Sequence, residues 1–456
     1  MQNAEDSRRR IPPRGVIWGL TAVAAVHAAL FVIGVLHPQA VLRFDRTGER
    51  LASAQTLLAA GSVEAGLDVL ERRGTPGDYL WHVPMLAAMR GWLPGVQLFQ
   101  LGLLALSLFA LYRIAIRLDG RRQVAWTAVL LYALIPIDLM VPHFLASEAV
   151  FTPLLVTATA LCVEYATRSP GWRPLGAAGI LYGLAALTRP LVLGWLPLML
   201  LVMASIARVR MGRRGWLHLA VLAGCTAAPP VLWMSFQAAR TGSFGYGGSS
   251  HDLGSTLGLR VVEVRRAAGA AGAGDSAVAA ARVADPQATL AVFLRTAAAY
   301  PLVFAKSWIS HSVKFIVLPD NLDGLVYLGA FQRTGTRAAL VHEVGWTGAL
   351  RLLFREMPIP VLALLAGMLL FAVFWILALR GAWDALRSAS GLVRQSWALL
   401  LSMPAAYLLA RIVEEGSARK RAPIDFVLAL CAALGIEAWH SWRARRRAAR
   451  GHEARS

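Results

Sequence analysis

Long apolar runs, separated by short polar segments, occupy most of the 456-residue chain. A bilayer core about 30 Å thick is crossed by a helix of about 20 apolar residues. About ten runs approach that length, and they cover residues 15–36, 96–117, 123–142, 145–166, 174–188, 190–207, 216–236, 358–379, 395–412 and 422–440. The pattern therefore predicts an all-α polytopic membrane protein, a bundle of about ten transmembrane helices.

The amino-acid composition agrees with this class. Hydrophobic residues make up 57% of the chain and charged residues 16%, whereas soluble domains carry about 25% charged residues. The three cysteines, Cys162, Cys225 and Cys431, lie in apolar runs without metal-ligand spacing. We expect them to be packing residues.

The basic residues orient the chain in the membrane. The net charge is +20, and arginines collect in alternate connections between the predicted spans, at residues 8–14, 117–122, 168–173, 208–214, 380–394 and 443–450. The positive-inside rule assigns these connections, both termini and the basic tail 441–456 to the cytoplasm. Because aromatic residues do not alternate with the arginines and no binding module accompanies them, a nucleic-acid partner is not expected.

Two long connections of mixed charge face the opposite side of the membrane. The first outer loop, 37–95, belongs to an N-terminal transmembrane module formed by residues 1–236. The second outer loop, 237–357, precedes the C-terminal transmembrane helices in 358–440. Together the loops predict an external face that could hold a site above the bilayer.

Both outer loops carry amphipathic patterns. In the first, apolar residues such as Leu51 and Leu58 recur at helical spacing until Gly61, which predicts a helix lying on the membrane surface. In the second, the apolar segment 289–318 is interrupted by charged residues and by Pro301. We expect interfacial helices there, with a further pair of spans as the alternative.

The charged stretch RFDRTGER after the first span holds the first candidate residues. Asp45 lies at the predicted membrane boundary between Arg43 and Arg46, and a solvated loop acid is its default interpretation. A carboxylate at this depth could instead accept a proton from an acceptor hydroxyl or amine. Glu49 shares the helical face of Asp45 and could either participate or form a salt bridge with Arg46 or Arg50.

The stretch GTPGDYLWHVPML contains Asp78, Trp81 and His82 just before the second span. Trp81 fits an aromatic belt at the membrane interface. Asp78 and His82 fit that belt less well, and they could orient a substrate hydroxyl or hold a divalent metal ion. The ligand set is incomplete, so the sequence does not require a metal.

The stretch IPIDLMVPHFLASEAVF joins the third and fourth spans on the outer side and contains Asp138, His143, Ser147 and Glu148. Ionisable groups near membrane depth cost roughly 2.5–3.5 kcal/mol on insertion scales, so they are usually functional or paired. Glu148 falls in the first turn of the fourth span, where the helix dipole favours a carboxylate. The alternative is a pure capping role for Glu148 together with Ser147.

Arg189, in LTRPLVLGW, is a lone arginine on the outer side of an apolar hairpin. The planar guanidinium group is suited to gripping a phosphate. Snorkelling of the side chain to lipid headgroups is an equally good interpretation.

The order of motifs resembles the GT-C superfamily of membrane glycosyltransferases. The motifs are an acid after the first span followed by AQTLLAAG, then LLYALIP with SEAVF, LGAAGILYGLAALTRPLVLGWLP, PPVLWMSFQAARTGSFGYGGSS, and ARKRAPIDFVLALCAALGI before the last span. They cover most of the chain and are most similar to the branch of protein O-mannosyltransferases and lipid A aminoarabinose transferases. Departures from the family pattern include an extra residue after Asp45, no tyrosine following it, and Lys420 at a usual tyrosine position.

This resemblance implies transfer of a sugar, with inversion, from a polyprenyl-phosphate carrier to an acceptor at the non-cytoplasmic face of a bacterial inner membrane. By position, Asp45 matches the catalytic acid of the first outer loop. The residues matching substrate- and phosphate-binding positions are Glu148, Arg189, Arg240, Arg419 and Arg421. The acceptor could be a glycan, a lipid, a protein or a polyol, and no cofactor is required.

Two other functional classes remain open. A transporter or lipid flippase would explain the many spans and the outward arginines, although the sequence shows no pair of interrupted helices in corresponding halves, and its ionisable residues fall mainly in outer loops. A non-catalytic subunit of envelope polysaccharide assembly is the third interpretation.

Overall fold

We describe the fold from a computed structural model, in which residues 13–42, 48, 51–52, 55–56, 59, 76–168, 171–242, 244, 248–269, 286–317, 355, 358–410 and 421–453 are described. All regular structure in these residues is helical. The helices of the first half are α1 (Arg14–Leu36), α2 (Pro38–Leu42), α3 (Pro76–Ala88), α4 (Leu93–Leu118), α5 (Arg122–Ala133), α6 (Pro136–Met140), α7 (Glu148–Thr167) and α8 (Trp172–Thr188).

The second half continues with longer helices and an insertion of three shorter ones. They are α9 (Leu191–Met211), α10 (Gly215–Thr241), α11 (Gly248–Ala267), α12 (Pro286–Ala299), α13 (Pro301–Val317), α14 (Pro358–Ser388), α15 (Gly391–Ala410) and α16 (Ala422–Glu453). Short 3₁₀ turns follow α6 and α9.

The chain is a multi-pass, all-helical membrane protein. Among the described residues, six helical segments are long and apolar enough to cross a bilayer, and two bent helix pairs raise the number to eight. One of the six segments, Val192–Arg240, is interrupted where Gly212 adopts φ 56° between α9 and α10, a conformation that favours glycine. Each predicted span coincides with a helix or a bent pair, but the count of ten stays a prediction.

Helices α7 and α16 form the interior of the bundle. In their most apolar stretches 72% and 78% of the residues are buried, compared with 22% in α1 and 17% in α14. Helix α7 packs between α4 and α8, and α16 packs between α5 and α14. The peripheral helices therefore present most of their apolar surface to lipid.

Glycines allow two helix pairs to approach closely. Gly381 of α14 lies against the backbone of α16, and Gly435 of α16 lies against the backbone of α14. A Cβ at Gly381 would collide with the carbonyl oxygen of Cys431. In the second pair, a Cβ at Gly183 of α8 would lie 2.7 Å from the carbonyl oxygen of Thr226 in α10. Such small-residue contacts replace the hydrophobic effect as the source of packing energy in lipid.

Helices lie in both predicted outer loops. In the second, Leu257 and Val261 of α11 bury one helical face against Phe293 of α12. Helices α12 and α13 meet at an angle of 108°, and neither their 14 nor their 17 residues reach across a 30 Å core at about 1.5 Å per residue. This geometry agrees with interfacial or re-entrant helices in the segment 289–318.

Candidate functional site

The helix pair α5–α6 breaks inside the bundle. Helix α5 ends at Ala133 after 12 residues, about 18 Å, and α6 starts at Pro136 with a bend of 68°. Proline restricts the preceding residue and lacks an N–H group, which explains the interruption of an otherwise continuous apolar run. The chain therefore exposes backbone carbonyl groups within the protein at this point.

Helices α4 and α1 hold the segment after the break. Nε2 of Gln97 donates a hydrogen bond to the carbonyl oxygen of His143 at 2.8 Å, and the amide nitrogen of Gln100 donates to the carbonyl oxygen of Pro142 at 3.0 Å. Nδ1 of His27 lies 2.9 Å from Nε2 of His143. Polar side chains of neighbouring spans thus satisfy the irregular backbone, as required where water is absent.

Glu148 and Arg189 form an ion pair at the start of α7. The Glu148 carboxylate is fully buried, whereas 20% of the Arg189 side chain is exposed. Nε of Arg189 donates to Oγ of Ser147 at 3.1 Å, and Ser147 in turn lies 3.3 Å from Oε2 of Glu148. Ser147 makes no side-chain capping bond to α7, so its hydroxyl group orients the ion pair and does not cap the helix.

Arg189 occupies the junction between two helices. Its backbone ends α8 in an extended conformation, and α9 begins after Pro190. Nη1 of Arg189 has no hydrogen-bond partner among the described residues, because only Nε and Nη2 are used. The N-terminus of α9 adds positive potential at the same place, a combination that favours anions.

A second buried group lies between α5, α6 and α16. Nε of Arg421 donates to Oδ1 of Asp425 at 2.8 Å, and the Arg421 guanidinium group lies 4.0 Å from the ring centroid of Phe371. The Asp138 carboxyl group interacts with Arg421, Asp425 and the hydroxyl group of Tyr132. Asp138 is 5% exposed and Arg421 and Asp425 are 0% exposed, so these charges depend on one another.

A cavity of about 20 Å³ joins the two groups. Asp138 and Glu148 both line the cavity, together with Tyr132, Thr152 and Gln100. The lining is mostly apolar, but its polar side chains could bind one water molecule in a cavity of this size. We call Asp138, Glu148, Arg189, Arg421 and Asp425 the buried polar cluster.

The depth of the buried polar cluster follows from the ion pairs at the arginine-rich end of the bundle. There Arg113 bonds Glu164 at 3.2 Å and Arg121 bonds Glu437 at 3.1 Å. Asp425 lies on the same helix as Glu437, about 18 Å away at 1.5 Å per residue. Since a bilayer core is about 30 Å thick, the Asp425 end of the cluster is expected within the membrane and not above it.

Four residues that the sequence analysis singled out lie together in the cluster: Asp138, Glu148, Arg189 and Arg421. His143 lies in the 3₁₀ turn that follows α6, and its ring nitrogen is within hydrogen-bond distance of His27. His82 is 1% exposed and lies 3.4 Å from the amide of Gln100.

The other candidate residues lie outside the cluster or outside the described residues. Arg240 is in the last turn of α10, stacked 5.8 Å from the ring of Phe236. Asp78 lies on α3, and only its backbone is described. The remaining candidates, Asp45, Glu49 and Arg419, fall outside the described residues.

Sequence reasoning missed Asp425, Tyr132 and Thr152. Asp425 lies four residues after Arg421 in an otherwise apolar span, and this spacing on one helical face was the available signal. Tyr132 and Thr152 carry no such signal, because both are ordinary residues of apolar helices.

No group of three or more histidine, cysteine, aspartate or glutamate side chains in the described part of the chain is arranged to hold a metal ion. The buried cysteines Cys162 and Cys431 are free thiols.

Comparison with known proteins adds no family: no protein-family model, curated protein or solved structure matches this chain.

Proposed function

We propose that the protein transfers a sugar from a polyprenyl-phosphate carrier to an acceptor at the outer face of a bacterial inner membrane. The observation that supports the proposal most is the way in which the Arg189 side chain is held and exposed. Its side chain is fixed by Glu148 and Ser147, it is partly exposed, and Nη1 is left for a ligand. A fixed guanidinium group at a helix junction suits the phosphate of a lipid carrier.

In this proposal the carrier's polyprenyl tail lies in the bilayer beside the spans, and its phosphate binds Arg189. Asp45 takes the proton of the acceptor hydroxyl group, the acceptor oxygen bonds to the anomeric carbon, and the bond from that carbon to the carrier oxygen breaks. The electron pair leaves with the carrier phosphate, whose developing charge Arg189 stabilises. Arg240 and Arg419 are the proposed helpers.

Arg421 takes a different role from the one that the resemblance implies. Because Arg421 is fully buried and paired with Asp425, we assign it to positioning Asp138 and the start of α16.

The topology that goes with the proposal has ten spans, both termini in the cytoplasm and the Arg189 junction facing the periplasm.

A transfer assay tests the proposal. The purified, reconstituted protein is incubated with labelled polyprenyl-phosphate sugar and a panel of acceptors, and release of the carrier phosphate and a glycosylated product are measured together. Arg189→Gln should lower transfer about 10²-fold, the usual effect of removing one oxyanion-stabilising donor. Asp45→Asn should abolish it. Arg173→Gln, which alters an exposed arginine at the other end of α8, should leave transfer unchanged.

A transporter or flippase is the second candidate, and the structure strengthens it. The described residues contain two bent helix pairs, at 122–143 and 290–313, and Asp138 and Asp425 are buried between helices. The sequence shows no pair of interrupted helices in corresponding halves, so these two bent pairs add support for this class that the sequence did not supply. Movement of the labelled lipid across proteoliposomes without release of its phosphate would favour this class over the transferase.

A further inference from the structure

Helix α16 continues well beyond the bundle at the arginine-rich end. All its residues from Ala422 to Gly435 are buried, whereas every residue from Trp439 to Arg450 is exposed. At about 1.5 Å per residue, this exposed part is about 18 Å long. Its ionisable side chains are all basic, namely His440 and five arginines. A strongly positive helical surface therefore follows directly after a segment that is long and apolar enough to cross a bilayer.

The positive charge is concentrated on one side of this helix. At about 100° per residue, six side chains fall within an arc of about 140°. We call them the Trp–Arg stripe: Trp439, Trp442, Arg443, Arg446, Arg447 and Arg450. Arg445 lies outside the arc, one turn after Ser441, which lines a cavity against α4 and α14. The Trp–Arg stripe therefore points away from that cavity.

The arginine side chains of the stripe lean back towards the membrane. Side chains of an α-helix tilt towards its N-terminus, and in α16 the N-terminal part is the buried one. Accordingly, the guanidinium carbon of Arg443 lies 5.0 Å from the ring centroid of Trp439. The guanidinium carbon of Arg446 lies 4.2 Å from the ring centroid of Trp442. Each of these charges therefore lies beside a ring that is one helical turn closer to the bilayer.

The two tryptophans lie at the level expected for lipid headgroups. Trp439 and Trp442 follow Glu437, at the arginine-rich end of the bundle, by about 3 and 8 Å along the helix axis. The headgroup layer of one leaflet is about 5–8 Å thick. The two rings stack with their centroids 5.0 Å apart and stay exposed. Tryptophan favours this interface because its ring is apolar and its N–H group can bond a headgroup.

Helix α14 repeats the arrangement at the same end of the bundle. Arg387 lies in its last turn, and the guanidinium carbon is 5.3 Å from the ring centroid of Trp383, four residues earlier. The Trp383 side chain is exposed. Pairs of tryptophan and arginine at this spacing thus recur on two packed helices where both leave the bundle.

We propose that the Trp–Arg stripe binds the headgroups of anionic phospholipids in the leaflet at the arginine-rich end. Arg443 and Arg446 donate hydrogen bonds to lipid phosphate oxygens, and the tryptophan rings lie at the boundary with the acyl chains. Arg447 and Arg450 add attraction over a Debye length of about 8–10 Å. Clustered arginines directly after a membrane span attract anionic lipids in this way. The inference does not rest on glycosyl transfer and applies equally to a transporter.

A lipid titration of the purified full-length protein in detergent tests the stripe. The three native cysteines are replaced by alanine, and a fluorescent dye is attached through Ala449→Cys, beside the stripe. Phosphatidylglycerol or phosphatidylcholine, each carrying a quencher near the top of an acyl chain, is added, and quenching of the dye measures binding. We expect phosphatidylglycerol to bind about tenfold more tightly or better, because it carries a net negative charge.

Two neighbouring arginines give a matched pair of variants. Arg446→Gln should weaken phosphatidylglycerol binding about fivefold, the contribution of one arginine near an anionic surface. The double variant Arg443→Gln with Arg446→Gln should weaken it about 25-fold. Arg445→Gln removes the same charge from an exposed position outside the stripe, so it should change binding less than about twofold.

Several results would overturn the proposal. They are equal binding of the two lipids to the wild type, equal weakening by Arg445→Gln and Arg446→Gln, and a lipid preference that survives the double variant. Because the substituted side chains are exposed, loss of folded protein in Arg446→Gln would also contradict it. An RNA oligonucleotide that displaces phosphatidylglycerol from the wild type at about 0.15 M salt would assign the stripe to nucleic acid instead.

Discussion

At the scale of the residue, two ion pairs with the same spacing differ only in their surroundings. Arg421 and Asp425 are both fully buried, whereas the side chains of Arg380 and Asp384 are 63% and 31% exposed. A solvated i,i+4 pair contributes about 0.3–0.5 kcal/mol. Breaking a buried pair costs about 3–5 kcal/mol because a charge is left without a partner.

Arg421→Gln should therefore destabilise the protein by several times as much as Arg380→Gln, by about 3–5 kcal/mol against less than about 1 kcal/mol. The thermal midpoint and the monodisperse yield in detergent measure the difference. Equal midpoints for the two variants would show that the Arg421 pair is not buried as described.

The sequence predicts only some of the contacts between the residues of the site. The sequence predicts Glu148 and Arg189 as candidate substrate-binding residues in separate hairpins. The structure places these two side chains in direct contact. Asp425 was overlooked because a single acid in an apolar run resembles a boundary residue until its neighbours in space are known. Its neighbour Asp138 lies almost 300 residues earlier in the chain, a distance that no local pattern spans.

At the scale of the element, hydropathy predicted the positions of the spans but not their breaks. The run 123–142 is mostly apolar, with Asp138 near its end, so hydropathy predicts a single helix there. The structure divides it at Pro136, with α5 before and α6 after the bend. Average hydropathy does not register the backbone angles that proline imposes, although the proline itself was visible.

The contact between α14 and α16 gives a prediction at this scale. Gly381→Ala should lower stability by about 1–3 kcal/mol, the usual cost of overpacking, because the new methyl group meets the backbone of Cys431. Gly102→Ala in α4 is the matched control, since nothing lies within 4 Å of a Cβ there. If both variants melted at the same temperature, the two helices could not pack as closely as described.

A third prediction concerns pH and the helices of the second outer loop. Burial raises the pKa of Glu263, but hydrogen bonds from His311, Ser307 and Arg260 outweigh this effect and hold the pKa at about 2. Because the folded pKa lies below the ordinary value of 4.5, the carboxylate stabilises the fold above about pH 4.5, and this contribution is lost as the pH falls towards 2.

Hydrogen exchange in α11 and α13 should accordingly rise as the pH falls through this window, after correction for the intrinsic rate. Glu263→Gln should show fast exchange at every pH, whereas Glu437→Gln at the arginine-rich end should behave as the wild type. Protection in the wild type that does not depend on pH would contradict the assigned hydrogen bonds.

At the scale of the whole molecule, the Arg-rich connections and the buried polar cluster lie at different levels of one bundle. The all-helical, multi-pass class was predictable because composition and run length alone determine it. The depth of the buried polar cluster was not predictable from the sequence. It depends on the short length of α5 and on how far Glu437 lies from the start of α16. We therefore expect the site, which the sequence analysis places above the bilayer, to lie partly within it.

Orientation gives a prediction for the entire chain. In intact cells a membrane-impermeant maleimide should label a cysteine at the 63%-exposed Phe244, beyond the end of α10. It should label Arg213→Cys, in the connection between α9 and α10, only after permeabilisation. The three native cysteines are first replaced by alanine, and the reverse labelling pattern would place the basic connections outside.

Binding of the lipid carrier tests the central claim most directly. Polyprenyl phosphate is titrated into the reconstituted wild type, Arg189→Gln and Arg173→Gln. We expect Arg189→Gln to weaken binding about 10- to 100-fold, as the loss of a charge-assisted hydrogen bond does, while Arg173→Gln binds as the wild type. Equal affinity in all three proteins, or an equal loss in both variants, would contradict a phosphate site at Arg189.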